Sequence, residues 1–122
     1  MPLVHQHMII RAEINNAPTD TMEIEDWLFD LIDALGMKVM MGPFAAYSEM
    51  EGNRGLTAAA VIETSHIVLH VWDECKPAIA QLDVYSCAPV ETSVVLKALE
   101  QFDPVHIDYK FLDREQKFIA LL

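Results

Sequence analysis

LTAAAVIETSHIVLHVWDECKPAIAQLDVYS, residues 56–86, holds three short apolar or β-branched runs at 56–63, 66–72 and 79–86, separated by turn-sized gaps. Runs of this length and composition read as strands of an antiparallel meander. Because side chains alternate across a strand, His66, Val68, His70 and Trp72 share one face while Ile67, Leu69 and Val71 point the other way. Asp83, Tyr85 and Cys87 likewise share a face of the third run.

Upstream of this stretch, residues 4–14 alternate, with Val4, Met8, Ile10, Ala12 and Ile14 on one side and His5, His7, Arg11 and Glu13 on the other, the mark of a half-buried strand. From Asp20 the period changes. Ile24, Trp27, Leu28, Leu31, Ile32 and Leu35 follow helical spacing, Asp20 and Glu23 have the spacing of a capping box, and Gly36 stands where a C-terminal cap belongs. Residues 37–47 read as a strand interrupted at Gly42-Pro43, and 51–55 as a turn. Downstream, Thr92 is placed to cap a second helix with Val94, Val95, Ala98, Leu99 and Phe102 inward. Val105, Ile107, Tyr109 and Phe111 then alternate as a strand, and 117–122 can add a short final one. Strand, helix, four strands, helix and strand, with no linker or repeat, predict a single α+β domain over 1–122. Its architecture is a two-layer α/β sandwich, a mostly antiparallel sheet with two helices on one face. The other face is left to a partner subunit, a ligand or water.

Composition narrows the function. Apolar residues make up 52% of the 122, which excludes a disordered or low-complexity chain. Eight basic against 19 acidic residues give a net charge of −11, which repels phosphate backbones and anionic headgroups, so neither nucleic acid nor a membrane surface is expected as partner. The sequence opens with no basic region leading into an apolar core and has no apolar run near 18 residues, so a cytoplasmic protein is expected. Cys75 and Cys87 are then expected to be free thiols.

The chemistry-bearing residues gather in the middle of the chain. Ser65, His66, His70, Asp83 and Cys87 fall within 23 residues, a plausible reactive cluster of hydroxyl, imidazoles, carboxylate and thiol. No metal is inferred: CxxC and HExxH spacings are absent, and an i, i+4 histidine pair on a strand is spread over ~13 Å by the rise per residue. A serine–histidine or cysteine–histidine nucleophile pair remains open on spacing alone.

The segment resembles the processing-site motif of the S-adenosylmethionine decarboxylases, in particular their short prokaryotic form. The matching residues are Ser65-His66, His70, Trp72-Asp73-Glu74, Asp83 and Ser86-Cys87, with a looser likeness along most of the chain. The resemblance implies an α+β sandwich with its active site near a subunit interface, hence a homodimer. It also implies a lyase that cleaves itself between Thr64 and Ser65, leaving 64- and 58-residue fragments. Ser65 would become a pyruvoyl group, the cofactor, with His70 assisting proton removal during processing. The pyruvoyl carbonyl would then act as an electron sink for decarboxylation, Cys87 would return a proton to the carbanion, and Glu63 and Thr64 would border the substrate. S-adenosylmethionine is the substrate so implied, and spermidine synthesis the use of the product. The chain departs from the pattern in having Thr64 rather than a glutamate before the serine, with Glu63 one position further back, and Ala88 rather than a glycine after the cysteine. Two alternatives follow: an unprocessed homologue acting as a ligand-binding or regulatory subunit, or a pyruvoyl decarboxylase of another amino acid.

Overall fold

The computed structural model describes residues 3–122. The chain runs β1 (Gln6–Ile14), α1 (Thr21–Ala34), β2 (Val39–Ser48), β3 (Gly55–Ile62), β4 (Ser65–Trp72) and β5 (Ala78–Ser86). It continues through α2 (Thr92–Ala98), a 3-10 turn (Leu99–Phe102), β6 (Pro104–Asp113) and β7 (Ile119–Ala120). The strands form one seven-stranded sheet in the order β2-β3-β4-β5-β1-β6-β7, with every neighbouring pair antiparallel. This is the α+β sheet-and-helix architecture expected from the sequence.

The core lies between the helices and one sheet face. Met8, Ile10, Ala12 and Ile14 of β1, Leu56, Ala58, Ala60 and Ile62 of β3, Ile67, Leu69 and Val71 of β4, and Ala80, Leu82 and Val84 of β5 are all buried. Their strict alternation is what fixes register, since a slip of one residue would carry each set to the outer face. From α1, Ile24, Trp27, Leu28, Leu31 and Ile32 close the core. The Trp27 indole N–H donates to the Ala98 carbonyl at 2.8 Å and so ties α1 to the end of α2.

The local signals act as their chemistry requires. Asp20 caps α1, one carboxylate oxygen accepting the amides of Met22 at 2.9 Å and Glu23 at 3.3 Å. Gly36 takes φ +73° just past the helix end, a conformation that spares only glycine a steric penalty. In β2 the register shifts on either side of Met41, so Gly42-Pro43 is absorbed as a bulge and the strand continues to Ser48. Gly42 sits at φ +92°, and a Cβ there would stand 2.9 Å from the Ala59 carbonyl oxygen.

Several boundaries differ from the sequence expectation. β1 begins at Gln6 rather than Val4, and β4 begins at Ser65 itself. Thr92 is the first residue of α2 and Glu91 its cap, without a side-chain hydrogen bond, so the expected threonine cap does not form. The final strand is reduced to Ile119–Ala120. Leu69 is fully buried at the centre of the sheet. Leu69→Ala is expected to lower unfolding free energy by about 2–5 kcal/mol, read from the urea midpoint at unchanged slope. A loss below about 1 kcal/mol would contradict this packing.

Candidate active site

β3 turns into β4 through the two residues Glu63 and Thr64, with Ile62 and Ser65 paired across the turn. Such tight hairpins demand unusual backbone angles. Here the demand falls on Ser65, whose φ is +143°, in a region that a side chain makes costly by roughly 1–3 kcal/mol. The strained residue is the one the motif singles out. The carbonyl of Thr64, the acyl group of the peptide bond that Ser65 follows, accepts the Cys87 amide N–H at 2.7 Å. That hydrogen bond polarises the carbonyl and points where negative charge would grow if its carbon were attacked.

The register of β4 on β5 and of β5 on β1 lines up Ser65, Ser86 and Gln6 across three strands. Ser86 is fully buried, and its hydroxyl accepts the Ala88 amide at 2.9 Å. Gln6 fixes the following segment, its side-chain oxygen accepting the Val90 amide at 2.9 Å. Cys87 is half-buried with a free thiol. The Thr64 hydroxyl oxygen is buried without a hydrogen-bond partner among the described residues.

His70 stands elsewhere. It is five residues along β4, ~17 Å by strand rise, and on the opposite side of the strand from the buried set that shares Ser65's parity. It is exposed, and its Nδ1 pairs with the Thr57 hydroxyl at 2.9 Å. Further polar contacts lie at the same end of the sheet. Trp72 donates its indole N–H to the Asn53 side-chain oxygen at 2.7 Å, and Glu74 accepts the amides of Arg54 at 3.0 Å and Gly52 at 3.3 Å. These two amides, that of Arg54 foremost, hold the Glu74 carboxyl below its ordinary 4.5. The Tyr47 hydroxyl donates to an Asp73 carboxylate oxygen at 2.6 Å, which raises the phenol above its ordinary 10.0, with burial adding to the shift.

On the sheet face away from the helices, register sets His66, Tyr85 and His7 in one row and Val68, Asp83 and Ile9 in the next. Asp83 receives both imidazoles, His7 through one carboxylate oxygen and His66 through the other at 3.3 Å. No group of three or more His, Cys, Asp or Glu among the described residues has the arrangement of a metal site.

The family model described as S-adenosylmethionine decarboxylase matches residues 9–115. The chain belongs to the S-adenosylmethionine decarboxylase family. Among curated relatives it is similar to the S-adenosylmethionine decarboxylase proenzymes of Saccharolobus islandicus strains L.S.2.15 and M.16.27. Each is 31% identical over 74 residues, which cover 61% of this chain and 55% of the relative. The match thus spans about half the length of those proenzymes. Among solved structures, the adenosylmethionine decarboxylase from Aquifex aeolicus VF5 superposes with a TM-score of 0.67 at 21% identity, covering 100% of this chain and 98% of that one, which shows a shared fold.

Of the residues singled out from sequence, Glu63, Thr64, Ser65 and Cys87 meet at the β3–β4 turn, whereas His70 stands apart with Thr57. His7 and Thr57 were not foreseen. His7 lay on the polar side of the first strand, but nothing local says that β1 lies beside β5; Thr57 is the polar residue of an alanine-rich run, one strand away from His70.

Because the folded state favours the protonated Tyr47 phenol, its contact with Asp73 contributes stability below pH ~10 and loses it as pH rises through the raised value. In an ultraviolet titration, Tyr47→Phe is expected to remove an ionisation above the ordinary tyrosine range. Superimposable high-pH curves for variant and parent would contradict the contact.

Proposed function

We propose that this chain is a self-processing S-adenosylmethionine decarboxylase, cytoplasmic, and that Ser65 is the precursor of its pyruvoyl group. The observation that carries the reading is the Thr64–Ser65 peptide bond, strained on its serine side and hydrogen-bonded at its carbonyl by the Cys87 amide.

The chemistry can be written on these residues. The Ser65 hydroxyl oxygen attacks the Thr64 carbonyl carbon and the C–N bond breaks, giving an ester with the Ser65 amine free; the Cys87 N–H stabilises the oxyanion on the way. Loss of the Ser65 α-proton expels the Thr64 carboxylate. Addition of water and departure of ammonia leave a ketone at the new N-terminus. The backbone strain at Ser65 is relieved when the chain opens, which favours the forward direction. Once formed, the pyruvoyl group supplies an electrophilic carbonyl that takes up the substrate amine and draws electrons from the bond to its carboxylate. The Cys87 thiol, on the residue whose amide touches Thr64, would return a proton to the carbanion. Glu63 and Thr64 border the substrate site.

The separation of His70 from Ser65 within one chain supports a homodimer in which His70 of a second copy serves the processing of the first. A free sheet face suits that arrangement: Ile9, Met41, Phe44 and Val61 are exposed on it at 45%, 57%, 64% and 38%. The product would supply aminopropyl groups for spermidine synthesis. Thr64 in place of the pattern's glutamate favours a second reading, in which the same machinery takes another amino acid as substrate.

Ser65→Ala is expected to stop cleavage and to reduce carbon dioxide release from S-adenosylmethionine to background, with the fold retained. Cys87→Ala should still cleave but turn over at least ~10²-fold more slowly. Ser65→Ala and His70→Ala should each fail alone, while their co-expression restores cleavage of the His70→Ala chain; failure to restore it would exclude action between copies. Turnover of S-adenosylmethionine by intact Ser65→Ala protein would overturn the whole reading.

A further inference from the structure

The segment after β6 is fastened to the sheet at few points. β7 pairs with β6 only through Leu112 with Ala120 and Asp113 with Ile119. The Leu121 and Leu122 amides both donate to the Phe111 carbonyl, at 2.6 and 3.3 Å, and every residue from Glu115 onward is exposed. The firm anchor is Arg114. Its amide donates to the His5 carbonyl at 2.7 Å, and its guanidinium lies 4.2 Å from the centre of the Tyr85 ring and 5.4 Å from that of Phe118. The same guanidinium stands 3.1 Å from His7 Nδ1.

A guanidinium can only donate, so His7 Nδ1 must present its lone pair and Nε2 must carry the proton that is given to Asp83. The contact therefore requires neutral His7 in one tautomer. A second proton would turn Nδ1 into a donor and set an imidazolium against the guanidinium, removing the hydrogen bond and replacing it with like-charge repulsion. The groups around His7 are Asp83 and Tyr85 of β5, His66 of β4, which shares Asp83, and Arg114; its partner on β6 is Leu112. Among the described residues Asp83 is thus the one carboxylate in contact with the ring, and it is already divided between two imidazoles.

We propose that His7 is a proton-operated latch for the Arg114–Leu122 strap, held while His7 is neutral and released when it is protonated. Release uncovers the Tyr85 ring, two residues before Cys87, on the sheet face away from the helices. The latch does not depend on the processing reading, because every contact in it lies within one unmodified chain.

Hydrogen exchange of the whole protein, corrected for intrinsic rates, tests it at about pH 7.5 and about pH 5.5, either side of the ordinary histidine range. The Leu121 amide is expected to lose about tenfold in protection at the lower pH, the scale of one charge-assisted hydrogen bond, while the Leu82 amide keeps its own. His7→Gln, which keeps an acceptor and a donor but does not titrate, should hold the strap at both pH values, and Arg114→Ala should leave it loose at both. Equal protection of the parent at the two pH values would overturn the latch. So would a parallel loss at Leu82, or an undiminished pH response in either variant; the Arg114 variant alone decides if His7→Gln fails to fold.

Discussion

The antiparallel register of β4 on β5 governs this molecule near the Thr64–Ser65 bond. It pairs Ile67 with Val84 and Leu69 with Leu82, apolar against apolar, all of them buried, and any slip would bring a histidine or Asp83 into the core. Holding that register to the end of the strands places Ser65 opposite Ser86 and carries the next amide, that of Cys87, onto the Thr64 carbonyl. With β3 bound to the other side of β4, only two residues are left to turn the chain, and the backbone strain concentrates at Ser65. Burial of apolar strands thus sets up a strained, hydrogen-bonded peptide link at their margin.

The same alternation that fills one face empties the other. His7, His66, Asp83 and Tyr85 collect on the helix-free side because they occupy the complementary parity on three adjacent strands. Their polar contacts and the apolar residues of β2 and β3 make that side mixed in character, a face that neither helix covers. His70 belongs to it, five residues along β4 from Ser65 and on the opposite side of that strand.

Much of the fold was legible because it follows from local periods. The α1 stripe, its Asp20 cap and Gly36, and the three central strands need only neighbouring residues to be recognised. The boundaries that shifted are those set by tertiary partners: β4 starts at Ser65 because Ser86 is there to pair with it, and β7 shrinks to two residues because β6 alone supports it. The candidate site divides in the same way. Ser65 and Cys87 carried a motif, and the parity of His66, Asp83 and Tyr85 could be counted along the chain. The union of β1 with β5, 76 residues apart at the His7–Asp83 contact, has no local signature, nor does the strain that a two-residue turn imposes on a serine.

The intact mass of the purified wild-type protein, measured under denaturing conditions with and without borohydride, tests the central claim most directly. The account predicts two fragments of 64 and 58 residues, split before Ser65, the second bearing an N-terminal ketone that takes up two hydrogens on reduction. A single mass for all 122 residues, unchanged by the reductant, would contradict it.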